Sequence, residues 1–274
     1  MTATTPSKNT LKNIDDLFAA GLHYGYAKAR RHPSARQFIF GAKSGVEVFD
    51  LEKTAEQLER AKAFVEGIAT AGKQVVLVAS KLEARQAIKN AGEALGLPYV
   101  AGRWVGGTLS NFAIIRKRID RLEKLIEDRE KGTLVKYTKK ERLMIDREIK
   151  RLEETFGGLR PLKSLPAALV VVDPKHEKNA VAEATTLRIP IVALANSDCD
   201  MTTVLCPVPG NDSNRASVAL FVTSIADAYK AGKEKAPVRP TVEEKQVPQS
   251  VGERPSDRSR LSADKAGAPR HSDR

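Results

Sequence analysis

Short continuous apolar runs alternate along this chain with segments whose apolar residues recur every three or four positions. Val75-Val76-Leu77-Val78, Ala168-Leu169-Val170-Val171-Val172 and Ile191-Val192-Ala193-Leu194-Ala195 are unbroken apolar runs, the pattern of parallel strands covered on both faces. Shorter strands are expected near Tyr99-Val100 and around Leu205 to Val208. Helices are expected between them, from Leu82 to Leu95 before Gly96, from His176 to Leu187, and from Ser213 to Ala231. Alternating strands and helices imply an α/β body, a parallel sheet with helices on both faces. The expected class is a flavodoxin/Rossmann-like parallel sheet, and by analogy with flavodoxin-like folds the expected strand order is 2-1-3-4-5.

The N-terminal third reads differently. Residues 1–12 are polar and are expected to be flexible; Asn13 can cap a short helix from Ile14 to Ala20 that ends at Gly21. Leu22 to Gln37 has no clean period and reads as an extended basic loop carrying Lys28, Arg30, Arg31 and Arg36. Phe38-Ile39-Phe40 and Val46-Glu47-Val48-Phe49, separated by GAKSG, predict a β-hairpin. Asp50 then precedes a helix from Leu51 to Ala71, which Gly72 ends.

A long interruption, residues 112–157, separates the two halves of the α/β pattern (13–111 and 158–232). Ile115, Ile119, Leu122 and Ile126 are spaced four, three, four, and Ile145, Ile149, Leu152 and Phe156 repeat that spacing. Each set is a narrow seam of the coiled-coil type. Gly132 can end the first helix, and Thr138 with Glu141 forms a capping box for the second. The expectation is an inserted antiparallel helical hairpin whose arms, about 19 residues each, reach roughly 28 Å at 1.5 Å per residue. Its surface holds 14 Lys and Arg against 10 Asp and Glu. That is either a solvated face or an arm that reaches another molecule. From residue 233 a disordered tail is expected, because Leu261 is the only Leu, Ile or aromatic residue beyond Pro237.

Charge narrows the function. Across 274 residues, 46 Lys and Arg outweigh 34 Asp and Glu, for a net charge of +12. Such an excess attracts polyanions: RNA, DNA or an anionic membrane surface. No apolar run approaches the roughly 18 residues of a membrane span. The N-terminus lacks the apolar core of a signal peptide. Cys199 and Cys206 are the only cysteines, too few for a disulfide framework. A cytoplasmic protein is expected.

Catalytic signatures are sparse. The segment after Val78 reads ASKLEARQ, with neither the glycines of a dinucleotide turn nor a P-loop. Arg103-Trp104 with Gly106-Gly107-Thr108 offers a guanidinium, a ring to stack on and accessible backbone N–H groups, features that suit a phosphate backbone or an unstacked base. A buried, structural Trp is the alternative. Asp50, Asp173, Asp198 and Asp200 fall near predicted strand ends, and Asp212 lies in a Gly-Asn-Asp turn. Such a cluster can hold Mg²⁺, with Asp198 and Asp200 the weak candidates, or the acids can simply cap turns. No HExxH, nucleophile elbow or supported Cys/His pair is present. No catalytic residue and no cofactor are therefore assigned.

The ordered segments AGLHYGYAKARRHPSARQFIFG, GVEVFDLEKT, GRWVGGTLSNF, IRKRIDRL, LPAALVVVD, IPIVALANSDCD and VPGND together resemble the bacterial small-subunit ribosomal protein S-two family over roughly Leu11 to Lys230. The resemblance implies a parallel α/β sheet with a protruding helical hairpin and a non-catalytic structural role on the ribosome. It also implies contacts with small-subunit ribosomal RNA and neighbouring proteins, and docking of ribosomal protein S-one where that partner exists. On the matching segments it points to Lys28, Arg30, Arg31, Arg36, Arg103, Trp104 and Thr108 as RNA contacts. One departure is Asn196-Ser197-Asp198-Cys199-Asp200-Met201, where the family usually has Asp-Thr-Asn-Cys-Asp-Pro. The competing readings are an α/β enzyme or sensor taking a small phosphorylated ligand near Thr108 and Asp173, and a protein scaffold built on the hairpin.

Overall fold

A computed structural model describes residues 8–236. The tail from 237 on and the first part of the flexible N-terminus expected from the sequence lie outside the described residues. The central element is a five-stranded parallel sheet formed by β4 (Val75–Val78), β5 (Tyr99–Val100), β6 (Ala168–Val172), β7 (Ile191–Ala195) and β8 (Cys206–Pro209), in the order β5-β4-β6-β7-β8. Counted within the sheet this is 2-1-3-4-5, as the doubly wound analogy predicts. The register is regular: Val75 to Val78 pair with Ala168 to Val171, and Leu169 to Val172 pair with Ile191 to Leu194.

Alternate strand residues serve opposite faces. Val75, Leu77, Val170, Val172, Val192 and Leu194 pack with α2 (Leu51–Thr70), α3 (Leu82–Leu95) and α7 (Arg215–Lys235). Val76, Val78, Leu169, Val171 and Ala193 face the other way. They pack with Ala180 and Ala184 of α6 (Lys178–Thr186), and with Ile115, Ile119 and Phe156 at the base of the helical insertion. Both faces are therefore dry, which is why these strands carry no polar alternation.

A second, three-stranded antiparallel sheet stands at the N-terminal side, with β1 (Tyr24–Ala27), β2 (Ile39–Lys43) and β3 (Val46–Phe49) in the order β1-β3-β2. The β2–β3 hairpin matches the sequence expectation. The extended basic loop does not: its first part pairs with β3 as β1, and Lys28–Arg30 and Pro33–Phe38 form short 3-10 turns. Strand β1 escapes sequence detection because it is four residues long and alternates no apolar side chains. It forms because β3 offers an unpaired edge.

The insertion is a pair of helices, α4 (Phe112–Glu130) and α5 (Lys139–Phe156). Gly132 adopts φ 70° after α4, and the Thr138–Glu141 capping box opens α5. The start of α4 and the end of α5 enter the same core, so the helices run antiparallel. The seam is buried at Ile115, Ile119, Leu122, Ile149 and Phe156 but only half-buried at Ile126, Ile145 and Leu152. The coiled-coil packing expected along the whole length is thus not carried by this structure.

Helix boundaries supply the remaining corrections. α1 is Lys8–Ala19, beginning ahead of the predicted Asn13 cap and inside the residues expected to be flexible. α6 starts at Lys178, because Asp173 holds the N–H groups of Lys175 and His176 in a turn first. α7 continues to Lys235, into the predicted tail, where the Lys235 Nζ lies 2.6 Å from Glu66 Oε1.

Gly158, just after α5, lies against β5. A Cβ there would overlap the Tyr99 carbonyl oxygen and the Tyr99 ring. Because the first obstacle is backbone, Gly158→Ala is expected to destabilise the fold by about 2 kcal/mol, read as a lowered midpoint in urea unfolding.

Candidate nucleic-acid interface

The basic segment is held by residues distant in sequence. Tyr26 N–H donates to Ser197 Oγ at 3.0 Å, and His32 N–H donates to the Ser197 carbonyl at 2.8 Å. The four cations of the segment do not serve alike. Arg30 lies 4.4 Å above the Tyr26 ring and 3.5 Å from Asp198 Oδ2, yet its side chain remains 59 % exposed. Arg31 Nη1 donates to Glu47 Oε1 at 3.0 Å, and Glu47 is buried with no partner at its other oxygen. Lys28 and Arg36 are exposed and form no ion pair among the described residues. Lys28 and Arg36 are therefore free to meet phosphate, Arg30 is partly engaged, and Arg31 is a structural cation.

Glu47 is the partner the sequence did not disclose, since a Glu between two valines reads as the solvent side of a strand. Removing Arg31 would leave it buried and alone. Arg31→Ala is expected to cost about 2 kcal/mol, below the range for a fully buried pair because Arg31 is itself 26 % exposed. Thermal unfolding would show it, and Arg31→Ala with Glu47→Gln should recover part of the loss.

The Arg103 to Thr108 segment is corrected more sharply. Trp104 is buried, and its indole N–H donates to Glu183 Oε1 at 3.1 Å. The same carboxylate accepts from the N–H groups of Gly107 at 2.8 Å, Leu109 at 2.9 Å and Ser110 at 3.1 Å. Thr108 is buried and donates to the Val105 carbonyl at 2.6 Å. Of the N–H groups expected to be accessible, that of Gly107 is taken by Glu183 of α6 and that of Thr108 by the Val105 carbonyl at 3.2 Å, and the ring expected to stack is in the core. Arg103 and Gly106 remain exposed. Burial works against the Glu183 charge, but the bonds from Leu109, Trp104, Ser110 and Gly107 outweigh it and hold this carboxyl below its ordinary pKa.

The carboxyl ends of β4 and β6 mark the point where strand order reverses, the usual ligand crevice of such sheets. Here the chain's own side chains fill it. Lys81 Nζ is 2.6 Å from both Asp173 Oδ2 and Asp212 Oδ2, and Asn196 Nδ2 donates to Asp212 Oδ1 at 2.8 Å. Tyr26 closes over the top, its hydroxyl 2.9 Å from Ser213 Oγ. Burial opposes the Lys81 ammonium, but its hydrogen bonds to Asp173 and Asp212 prevail and raise its pKa. Burial likewise opposes the Asp212 charge, and the bonds from Asn196 and Lys81 prevail and lower its pKa. Asp173 sits at φ 61°, a left-handed turn that Asp tolerates and that its own bonds to Lys175 and His176 N–H stabilise. Cys199 Sγ lies 3.5 Å from Asp173 Oδ1, and burial together with that carboxylate pushes its thiol pKa up.

The weak metal candidates have other roles. Asp198 is 2.9 Å from Lys175 Nζ, and Asp200 accepts from Thr202 N–H at 2.9 Å, capping a turn. Asp50 caps α2 through Glu52 N–H at 3.1 Å. Among the described residues no group of three or more His, Cys, Asp or Glu is placed to hold a metal ion. Of the two residues expected beside a small phosphorylated ligand, Thr108 is buried and Asp173 is paired with Lys81.

These features lie within a segment that has known relatives. The family model described as Ribosomal protein S2 matches residues 17–232. The Small ribosomal subunit protein uS2 of Mesoplasma florum is 41 % identical over 218 residues, covering 80 % of this chain and 82 % of that protein. The Small ribosomal subunit protein uS2 of Acidothermus cellulolyticus is 41 % identical over 220 residues, covering 80 % of each. The family match runs through the basic segment, the filled sheet edge and both helices of the insertion, and on that likeness the chain belongs to the ribosomal protein S2 family.

Proposed function

We propose that this chain is a non-catalytic structural constituent of the small ribosomal subunit, where it binds small-subunit ribosomal RNA and neighbouring ribosomal proteins during translation. Ribosomal protein S-one is among those neighbours where it exists, and the site of action is the ribosome in the cytoplasm. The observation that carries this reading is the family membership, and the net charge of +12 agrees with it. The interface we assign centres on Lys28 and Arg36, exposed cations of the basic segment, with Arg30 beside them, and Arg103 is an exposed cation on the loop after β5. Phosphate neutralisation by clustered cations supplies affinity and positioning without reading sequence. No cofactor is required, and among the described residues no helix is long and apolar enough to cross a membrane.

Sedimentation of lysate through a sucrose gradient tests the reading, with this protein detected in every fraction at moderate and high salt. It is expected to track the small subunit at about one copy each. Finding it at the top of the gradient at moderate salt overturns the proposal. For the interface, Lys28→Ala with Arg36→Ala should lower the slope of log affinity against log salt by roughly one to two, with no change of base preference. An unchanged slope removes these two residues from the interface.

A further inference from the structure

The helical insertion is tied to the body at its root by one side chain. Ile115, Ile119 and Leu122 bury one stripe of α4, and the first two join the sheet's core together with Phe156 of α5. A second stripe, one residue further on, is polar: Arg116, Asp120 and Glu123 repeat the spacing of four and three. Arg116 Nε donates to Asp120 Oδ1 at 2.7 Å, and Nη2 donates to Glu123 Oε2 at 3.0 Å. The third nitrogen reaches out of the helix. Nη1 donates to the Arg160 carbonyl at 3.1 Å and to the Leu162 carbonyl at 3.3 Å. Those carbonyls belong to the turns that follow α5 on the way to β6. Among the described residues no backbone N–H donates to either of them, the usual state of carbonyls just past a helix end. Leu162 is buried in the same core as Ile115 and Ile119. The loop that Arg116 grips is therefore itself fixed to the body.

The guanidinium thus joins the entry of the arm to its exit, segments 44 and 46 residues apart in the chain. Asp120 and Glu123 hold the fork from one side while the carbonyls take its other end. A planar group with several bonded nitrogens can serve all four acceptors at once, and a single ammonium cannot. Position gives this contact leverage. From Arg116 to the end of α4 at Glu130 is roughly 21 Å, so a tilt of about 10° at the root moves the tip by roughly 4 Å. We propose that Arg116 is a positioning residue, a latch that fixes the angle between arm and body so that the tip meets its neighbour in one place. A preset angle removes an ordering cost from docking. The latch is a property of the free chain, and its consequence for docking rests on the ribosomal reading above.

The test places nitroxide labels on the full chain at Lys140→Cys, near the tip, and at Lys230→Cys, on α7. Both positions are exposed, and the native Cys199 and Cys206 are buried. Pulsed electron resonance then reads the distance between the labels. The labelled parent is expected to give one narrow distribution. Arg116→Met should shift its mean by several ångström or about double its width, with Trp104 emission unchanged as the sign of an intact body. Arg116→Lys keeps the charge and should show the same change, because the ammonium cannot span the acids and both carbonyls. It also carries the test if the Met variant does not fold. The parent's distribution in Arg116→Lys overturns the latch. Expressed beside the wild type, Arg116→Lys should be about three-fold under-represented in the small-subunit fractions of a sucrose gradient. Equal incorporation overturns the consequence for docking. Absence of the wild-type chain from those fractions overturns the ribosomal reading and leaves the distances standing.

Discussion

Lys81→Met is expected to destabilise the protein by about 3–5 kcal/mol, lowering the melting temperature on the order of 10 °C. The side chain is mostly buried and is the one cation 2.6 Å from each of two acids on different strand ends, Asp173 after β6 and Asp212 after β8. Met fills the volume but leaves two buried carboxylates facing each other without the ammonium. The cost then comes from the stranded charges more than from the loss of the ion pairs. Lys81→Met with Asp212→Asn should therefore be more stable than Lys81→Met alone. The pH dependence has a definite sign. Lys81 is raised above its ordinary value of 10.5, so its contribution is complete below that value and is lost as pH rises through the higher folded-state value. Asp212 is lowered from its ordinary 3.8, so its contribution is complete above that value and is lost as pH falls through the folded-state value. The difference between wild type and Lys81→Met should be flat across neutral pH and shrink at both extremes. Equal melting temperatures at pH 7 would show that this triad does not hold the sheet edge together.

Glu183→Ala is the second large effect, expected to cost about 4 kcal/mol. One carboxylate accepts from the Trp104 indole and from three backbone N–H groups of the turn leading into α4. Removing it strands buried donors, each worth about 1–3 kcal/mol. Gln is no remedy, because its amide nitrogen would face N–H groups that need an acceptor. The readout is built in: Trp104 is the only Trp of the chain, so its emission should shift to the red as the turn loosens and water reaches the indole. The lowered pKa of Glu183 means that this stabilisation is present above the ordinary carboxylate range and fades as pH falls through the folded-state value. Acid should therefore move the wild-type emission towards that of Glu183→Ala. Unchanged emission in the Ala variant would show that the turn does not depend on Glu183.

Both predictions concern residues that a reading of motifs passes over. Lys81 sits in ASKLEARQ, a segment notable in the sequence for lacking a phosphate-binding glycine turn. Its side chain fills part of the crevice that a nucleotide-binding relative of this architecture would leave open. Glu183 lies in an unremarkable helix. Trp104 with Gly106-Gly107-Thr108 looks like a ligand loop in the sequence, because it joins a glycine pair to a Trp. They are one side of a contact whose other side lies 79 residues away in Glu183.

The elements and their class are written in local signals. Apolar runs, capping residues and glycine stops are local signals, and they located the five parallel strands, the hairpin of β2 and β3 and the main helices to within a few residues. The capping box at Thr138 and Glu141 was legible because both partners lie within one turn. The family resemblance was legible too, because ordered motifs survive without knowledge of what they touch. Which cations are free follows from the packing of distant segments. Arg31 and Lys28 are indistinguishable as sequence, yet one is held by buried Glu47 and the other faces solvent. Tyr26 to Ser197 spans 171 residues and Lys81 to Asp212 spans 131. Pairing over such distances leaves no periodicity behind: it depends on where the sheet brings its strand ends, and that is a property of the packed molecule.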